Sequence, residues 1–399
     1  MNQQAQVAAD DEDDLANIFG EQTEYAVKGH RKNKKFSAWH RPRKQYVREE
    51  QWCTAIDNLI ENIEFDGRSL RYIGLPGNEL FDLRTIHELI CKPRGLRLRF
   101  LGFNNASGID DDDSFELSLS TVEVMELDRV DGVSKVMPDD FKALGTQNSM
   151  AWSSAQKLGH FDVVNVDLCD GLFTAKPAIT SDSYYDAIKE LINLQAGRGD
   201  PWLLFLTTRV GINDVHENTI EILKDAISNN LQNCQSFSKA TRRHLNFDNM
   251  EEVEKLLKDQ KGFSDIFAAG ISKWLINLGL SASPQWKVTL QSVYNYTVYP
   301  EAKYPDLLSL SFEFTPIRLP VQDKLGLVAK VKAIAPKIPS ECTLATEIVP
   351  FIANVLNIDE HLSENQGLTE KYIEKSATLF EKARYPSERY RTWLKDNNY

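Results

Sequence analysis

The side chains able to do chemistry gather where apolar runs end. GHFDVVNVDLCDG, residues 159–171, reads as a buried parallel strand from Phe161 to Val166 that delivers Asp167 to its carboxyl end, with Asp170 three residues on. Loops and helix N-termini converge at that end of a strand in an open α/β sheet, so a carboxylate there faces a ligand crevice. Asp167 is the first candidate to orient an amine or hydroxyl or to take up a proton, and Asp170 is the candidate to assist it. The plainer alternative is that Asp167 caps the next turn and Asp170 faces water. Cys169 lies between them, but the nearest histidine, His160, belongs at the other end of the strand, so neither supplies a base-activated thiol. Asp167 and Asp170 would hold Mg²⁺ only with oxygen ligands from further segments.

Two further strand ends carry polar groups. A short strand, 70–75, leads into Gly74-Leu-Pro-Gly77 and then a helix with Leu80, Leu83, Ile86, Leu89 and Ile90 on its buried face and Asn78 as its expected N-cap. Glycines there let a backbone approach a ligand, and free N–H groups at a helix start favour a carboxylate. The apolar run 202–210 ends in Thr207, Thr208 and Arg209, candidate substrate contacts in the same crevice.

Charge is distributed unevenly. The 399 residues sum to a formal charge of −12, which argues against a surface that embraces nucleic acid everywhere, yet residues 28–48 hold nine Lys/Arg and no acid. Arg41, Arg43, Lys44 and Arg48, interleaved with Phe36, Trp39 and Tyr46, offer both phosphate contacts and flat stacking faces. In the alternative reading the aromatics anchor this segment on the domain. Residues 1–24 form an acidic tail expected to be disordered.

The elements that must position these groups follow from periodicity. Trp52, Ala55, Ile56, Leu59, Ile60 and Ile63 make one helical stripe, so 25–67 reads as a basic arm followed by a packing helix. A second strand spans 96–103 and ends in Asn104; Ser120 is the expected cap of a helix to Leu127, and another helix is expected from Pro138 to Leu158. Residues 214–280 read as two or three inserted helices, 286–299 and 307–317 as an antiparallel strand pair, and 331–399 as a helical extension. The fold class is α/β: a doubly wound, mostly parallel sheet with a terminal antiparallel pair, a helical insertion and a C-terminal helical extension.

The five cysteines show no C-x-x-C pair and no zinc spacing, so neither a disulfide framework nor a zinc site is expected, consistent with a reducing cytosol. No run approaches the roughly 18 apolar residues of a membrane span, and the opening residues lack a secretory signal. The expectation is a soluble cytoplasmic protein.

Five strands alternating with helices and closed by an antiparallel pair resemble the class I S-adenosylmethionine-dependent methyltransferase fold over roughly residues 68–318. The resemblance implies that GLPGNELFD, with Gly74, Gly77 and Asn78, holds the methionine and ribose part of the cofactor, and that Asn104 stands where the family places an acid for the ribose hydroxyls. VVNVDLCDG matches the family's catalytic-loop position. What this implies is an S-adenosylmethionine-dependent enzyme acting on or binding nucleic acid. The competing reading is a non-catalytic Rossmann-like scaffold that has lost its cofactor and meets a protein partner through its helical additions.

Overall fold

A computed structural model describes residues 34–397, apart from 64, 66–67, 106–110, 169–170, 173–182, 300–301 and 319–337. The acidic tail, Cys169 and Asp170 therefore lie outside the described residues.

Eight strands form one sheet: β1 (Ser69–Gly74), β2 (Arg97–Phe103), β3 (Lys135–Met137), β4 (Val163–Asp167), β5 (Trp202–Arg209), β6 (Trp286–Tyr296), β7 (Leu307–Pro316) and β8 (Leu356–Asn357). Their order is β3-β2-β1-β4-β5-β7-β6-β8. The first five run parallel, and β7 lies antiparallel to both β5 and β6. This is the doubly wound sheet with a terminal antiparallel pair that the alternation of elements predicts.

The pleat sorts side chains into two cores. Ile73, Leu101, Phe103, Val164, Val166, Leu204 and Leu206 face one layer. Leu70, Tyr72, Leu98, Phe100, Val163, Leu203 and Phe205 face the other. This period of two is what an extended chain imposes. Every residue of β5 except Arg209 is buried, as a strand covered on both faces must be.

The second layer is built on α1, a helical rod over residues 42–62 that includes a widened turn at Val47–Cys53. It also takes α2, residues 81–94, and α3, Asp111–Met125. The first layer takes α4 (Met150–Leu158) and α5 (Tyr184–Leu194). It also takes four helices between β5 and β6: α6 (Glu217–Asn233), α7 (Gln235–Leu245), α8 (Met250–Leu256) and α9 (Gln260–Ser281). After β7 come α10 (Glu341–Ala353), α11 (Ile358–Glu364), α12 (Gln366–Glu381) and α13 (Tyr390–Asp396).

Three expectations need correction. The helix placed after Ser120 begins nine residues earlier, at Asp111. The long helix from Pro138 is instead a 3-10 turn, Phe141–Gly145, followed by α4, which starts where the Ser149 side chain accepts from the Trp152 N–H. Cys234 and Cys342 are disulfide-bonded, with Cα atoms 5.7 Å apart, and the bond ties α7 to α10. Separation by 108 residues hid the pair from any local spacing rule. Among the described residues no helix is long and apolar enough to cross a membrane.

Candidate ligand crevice at the switch point

Between β1 and β4 the winding reverses: β1 continues to β2 on one side and β4 to β5 on the other. Connections leave in opposite directions there, so the carboxyl ends of the strands open onto a crevice. The crevice has a volume of about 1160 Å³ and is reached by Gly77 and Asn78 after β1, Asn104 after β2, Asp167 at the end of β4 and Arg209 at the end of β5. Residues separated by more than a hundred positions thus meet at one place.

The glycine loop is held from both sides. A Cβ on Gly74 would fall 2.5 Å from the Asn165 carbonyl oxygen, so only glycine permits the β1–β4 approach there. Leu75 N–H donates to that same carbonyl at 3.2 Å. Pro76 packs over Gly102, where a Cβ would lie 2.8 Å from the proline ring. Asn104 Nδ2 donates to the Pro76 carbonyl at 3.0 Å and to Asn78 Oδ1 at 3.1 Å, bracing the loop from the neighbouring strand. Gly77 has open space where its side chain would be.

Asn78 is not the helix cap. The N-cap of α2 is Leu80, in the left-handed region at φ 54°, and no side chain caps that end. A left-handed leucine is uncommon and marks a loop shaped by its surroundings rather than by local preference.

The four cations singled out in the basic arm do not lie on the surface. Arg41, Arg43, Lys44 and Arg48 are all buried, with 3 to 8% of their surface exposed. Arg48 Nε donates to Asp82 Oδ1 at 2.6 Å, Lys44 Nζ to Asp167 Oδ1 at 2.5 Å, and Arg43 Nη1 to Asp359 Oδ1 at 2.5 Å. Helix α1 therefore lies across the crevice and places its cations on Asp167 at the end of β4, Asp82 in α2 and Asp359 in α11. Burial alone would lower the Lys44 pKa, but Asp167, with Tyr296 and Asp82 nearby, more than offsets this and raises it above the ordinary lysine value. Its ammonium also lies 4.7 Å from the centre of the Trp52 ring.

The aromatic anchoring expected as the alternative is present at Phe36, which stacks on Tyr385 at 5.3 Å and packs against Tyr390 and Trp393. Trp39, by contrast, is 55% exposed at the crevice.

Thr207 and Thr208 do not reach the crevice. Both are fully buried; Thr207 Oγ1 shares a 3.1 Å hydrogen bond with Ser309 Oγ, and Thr208 Oγ1 accepts from Leu172 N–H at 2.8 Å. Arg209 does reach it, its guanidinium 3.8 Å from the centre of the Tyr299 ring.

Sequence reasoning missed Lys44 as the partner of Asp167, and it missed the C-terminal residues that close the crevice. Tyr385 donates to Glu79 Oε1 at 2.6 Å, and Lys34 Nζ donates to the Ala383 carbonyl at 2.8 Å. A usable signal existed for the first: a buried strand-end acid needs a counter-charge, and residues 28–48 are an acid-free cationic run. Among the described residues no three His, Cys, Asp or Glu side chains come together to hold a metal.

These features define a doubly wound α/β protein with a switch-point crevice floored by a glycine loop and crossed by its own N-terminal helix. The PP_RS20740-like family description matches residues 33–395, and the chain belongs to that family. No curated protein matches. Among solved structures, a candidate class I S-adenosylmethionine-dependent methyltransferase from Listeria monocytogenes shares 11% identity, with a TM-score of 0.35, over 76% of this chain and 70% of that one.

Proposed function

We propose that the crevice binds S-adenosylmethionine and that the chain is a methyltransferase-like protein acting on or binding nucleic acid. The observation that carries this reading is the convergence of the Gly77–Asn78 loop, Asn104 and Asp167 on a single switch-point crevice. The residues there suit an adenosyl group. Gly77 leaves room for close backbone approach, Asn78 and Asn104 bring amides to the crevice, and Phe103 and Phe141 offer an apolar flank. Asn78, Asn104 and the loop backbone would hold the nucleoside and amino-acid ends. The bound cofactor would supply an electrophilic methyl group. Asp167, kept beside a cation by Lys44, would orient the accepting amine or hydroxyl. Exposed Trp39 and Tyr299 at the crevice supply the flat faces a nucleobase would stack upon.

One observation favours a second reading. Lys44 and Arg48 already neutralise Asp167 and Asp82, as expected if the crevice is an internal joint of a non-catalytic scaffold. Titration calorimetry with S-adenosylmethionine separates the two: a saturable single-site heat supports the cofactor reading, and no heat supports the scaffold.

A further inference from the structure

A second group of cations lies away from the run at residues 28–48. At the opposite edge of the sheet, where β1 and β2 begin, a pocket of about 640 Å³ is lined by Arg68, Arg94, Arg97 and Arg129, with Phe65 and Leu96 as its apolar wall. These arginines come from three separate chain segments and meet only in the fold.

We infer that this pocket is a binding site for a phosphoryl group, independent of the switch-point crevice. Four guanidinium groups around one concavity repel each other unless anions join them, and the counter-charges are weakest at Arg97 and Arg129. Arg68 pairs with Asp200 at 2.8 Å, Arg94 with Asp57 at 2.8 Å and Glu61 at 3.6 Å, and Arg129 with Asp128 at 3.5 Å. Glu61 and Asp128 have side chains 68% and 88% exposed, so these pairs exchange readily with solvent or ligand. Arg97 is exposed and forms no ion pair among the described residues; the nearby Asp131 is held by Arg99 at 2.6 Å. All four cations are arginine, whose planar fork matches phosphate oxygens in pairs, whereas lysine offers only a point charge. A chain of net charge −12 has no general attraction for polyanions, so any phosphate binding must come from a local cluster such as this.

The ligand is either a free oligophosphate or the backbone of a nucleic acid, and two probes distinguish them. Inorganic tripolyphosphate is tested by thermal shift and a fluorescein-labelled single-stranded oligonucleotide by anisotropy, on the full chain, on Arg97→Gln/Arg129→Gln and on Arg391→Gln as a control for loss of surface charge elsewhere. Tripolyphosphate should raise the melting temperature of the wild type but not of the double variant. If the ligand is a nucleic acid, oligonucleotide affinity also falls about tenfold or more in the double variant, and the slope of log K against log salt shrinks by roughly 1.4, about 0.7 for each lost phosphate contact. Tripolyphosphate binding without oligonucleotide binding identifies a free oligophosphate. Absence of binding by both probes, wild-type behaviour of the double variant, or an equal loss in Arg391→Gln overturns the site. None of these readouts depends on S-adenosylmethionine.

Discussion

Lys44 and Asp167 stand 123 positions apart in the chain and 2.5 Å apart in the fold, with side chains 10% and 16% exposed. A carboxylate so enclosed is tolerable only while its cation is present. Removing one partner leaves an uncompensated buried charge, whereas removing both leaves none. Lys44→Met is therefore expected to cost about 3 kcal/mol or more of stability, and Lys44→Met/Asp167→Asn to recover much of that loss, measured by denaturant unfolding. Strictly additive losses would show that the pair is not coupled. Asp167 was legible in the sequence because an apolar run ending in an acid has one meaning in a parallel sheet. Its partner was not, since pairing over such a separation leaves no local pattern. The same holds for Thr207 and Thr208: the strand end was read correctly, but which side of it faces the crevice depends on β7, whose Ser309 takes the Thr207 hydroxyl.

At the scale of elements, α1 shows how a charge run misleads. The run of nine Lys/Arg at residues 28–48 that leads into it resembles a nucleic-acid arm, yet Arg48, Lys44 and Arg43 pair with Asp82, Asp167 and Asp359. Strands were legible almost to their ends because β-branched and aromatic runs bounded by glycine and proline are unambiguous. Helix starts were less so, since Ser120 and Pro138 are both good starters, yet the helices begin at Asp111 and, capped by Ser149, at Met150. The Cys234–Cys342 bond links the inserted helices to the C-terminal extension. Closing a loop of this length restricts the unfolded chain, so reduction or Cys234→Ser is expected to cost roughly 2–4 kcal/mol. Thiol counting on denatured, unreduced protein should find three reactive cysteines of the five. Five would show that the bond does not form.

Across the whole molecule, the N-terminal and C-terminal segments meet over the glycine loop, and His40 is sealed in that junction. It lies among Phe36, Phe81, Phe380 and Tyr385, and its Nδ1 accepts the Ser37 N–H at 2.8 Å. Burial, reinforced by Arg48, lowers its pKa to about 3. The unfolded chain thus takes up a proton near pH 6.5 that the folded chain refuses. The associated stability is complete above pH 6.5 and is lost as pH falls towards 3, about 2 kcal/mol of it by pH 5. Replacing His40 with Asn should flatten the decline in unfolding free energy between pH 7.5 and 5 by that amount; an unchanged slope would mean that the imidazole is not sealed.

The strand order that brings β1 beside β4 also creates the crevice, and the central claim is that this opening takes a nucleoside cofactor. Calorimetric titration of S-adenosylmethionine into the wild type and into Asn104→Ala tests it most directly, because Asn104 braces the glycine loop by two hydrogen bonds from the end of β2. The account predicts saturable one-site binding by the wild type, weakened about tenfold or more in the variant, equivalent to roughly 1.4 kcal/mol. No heat from the wild type at saturating cofactor, or equal affinity in the two proteins, would contradict it.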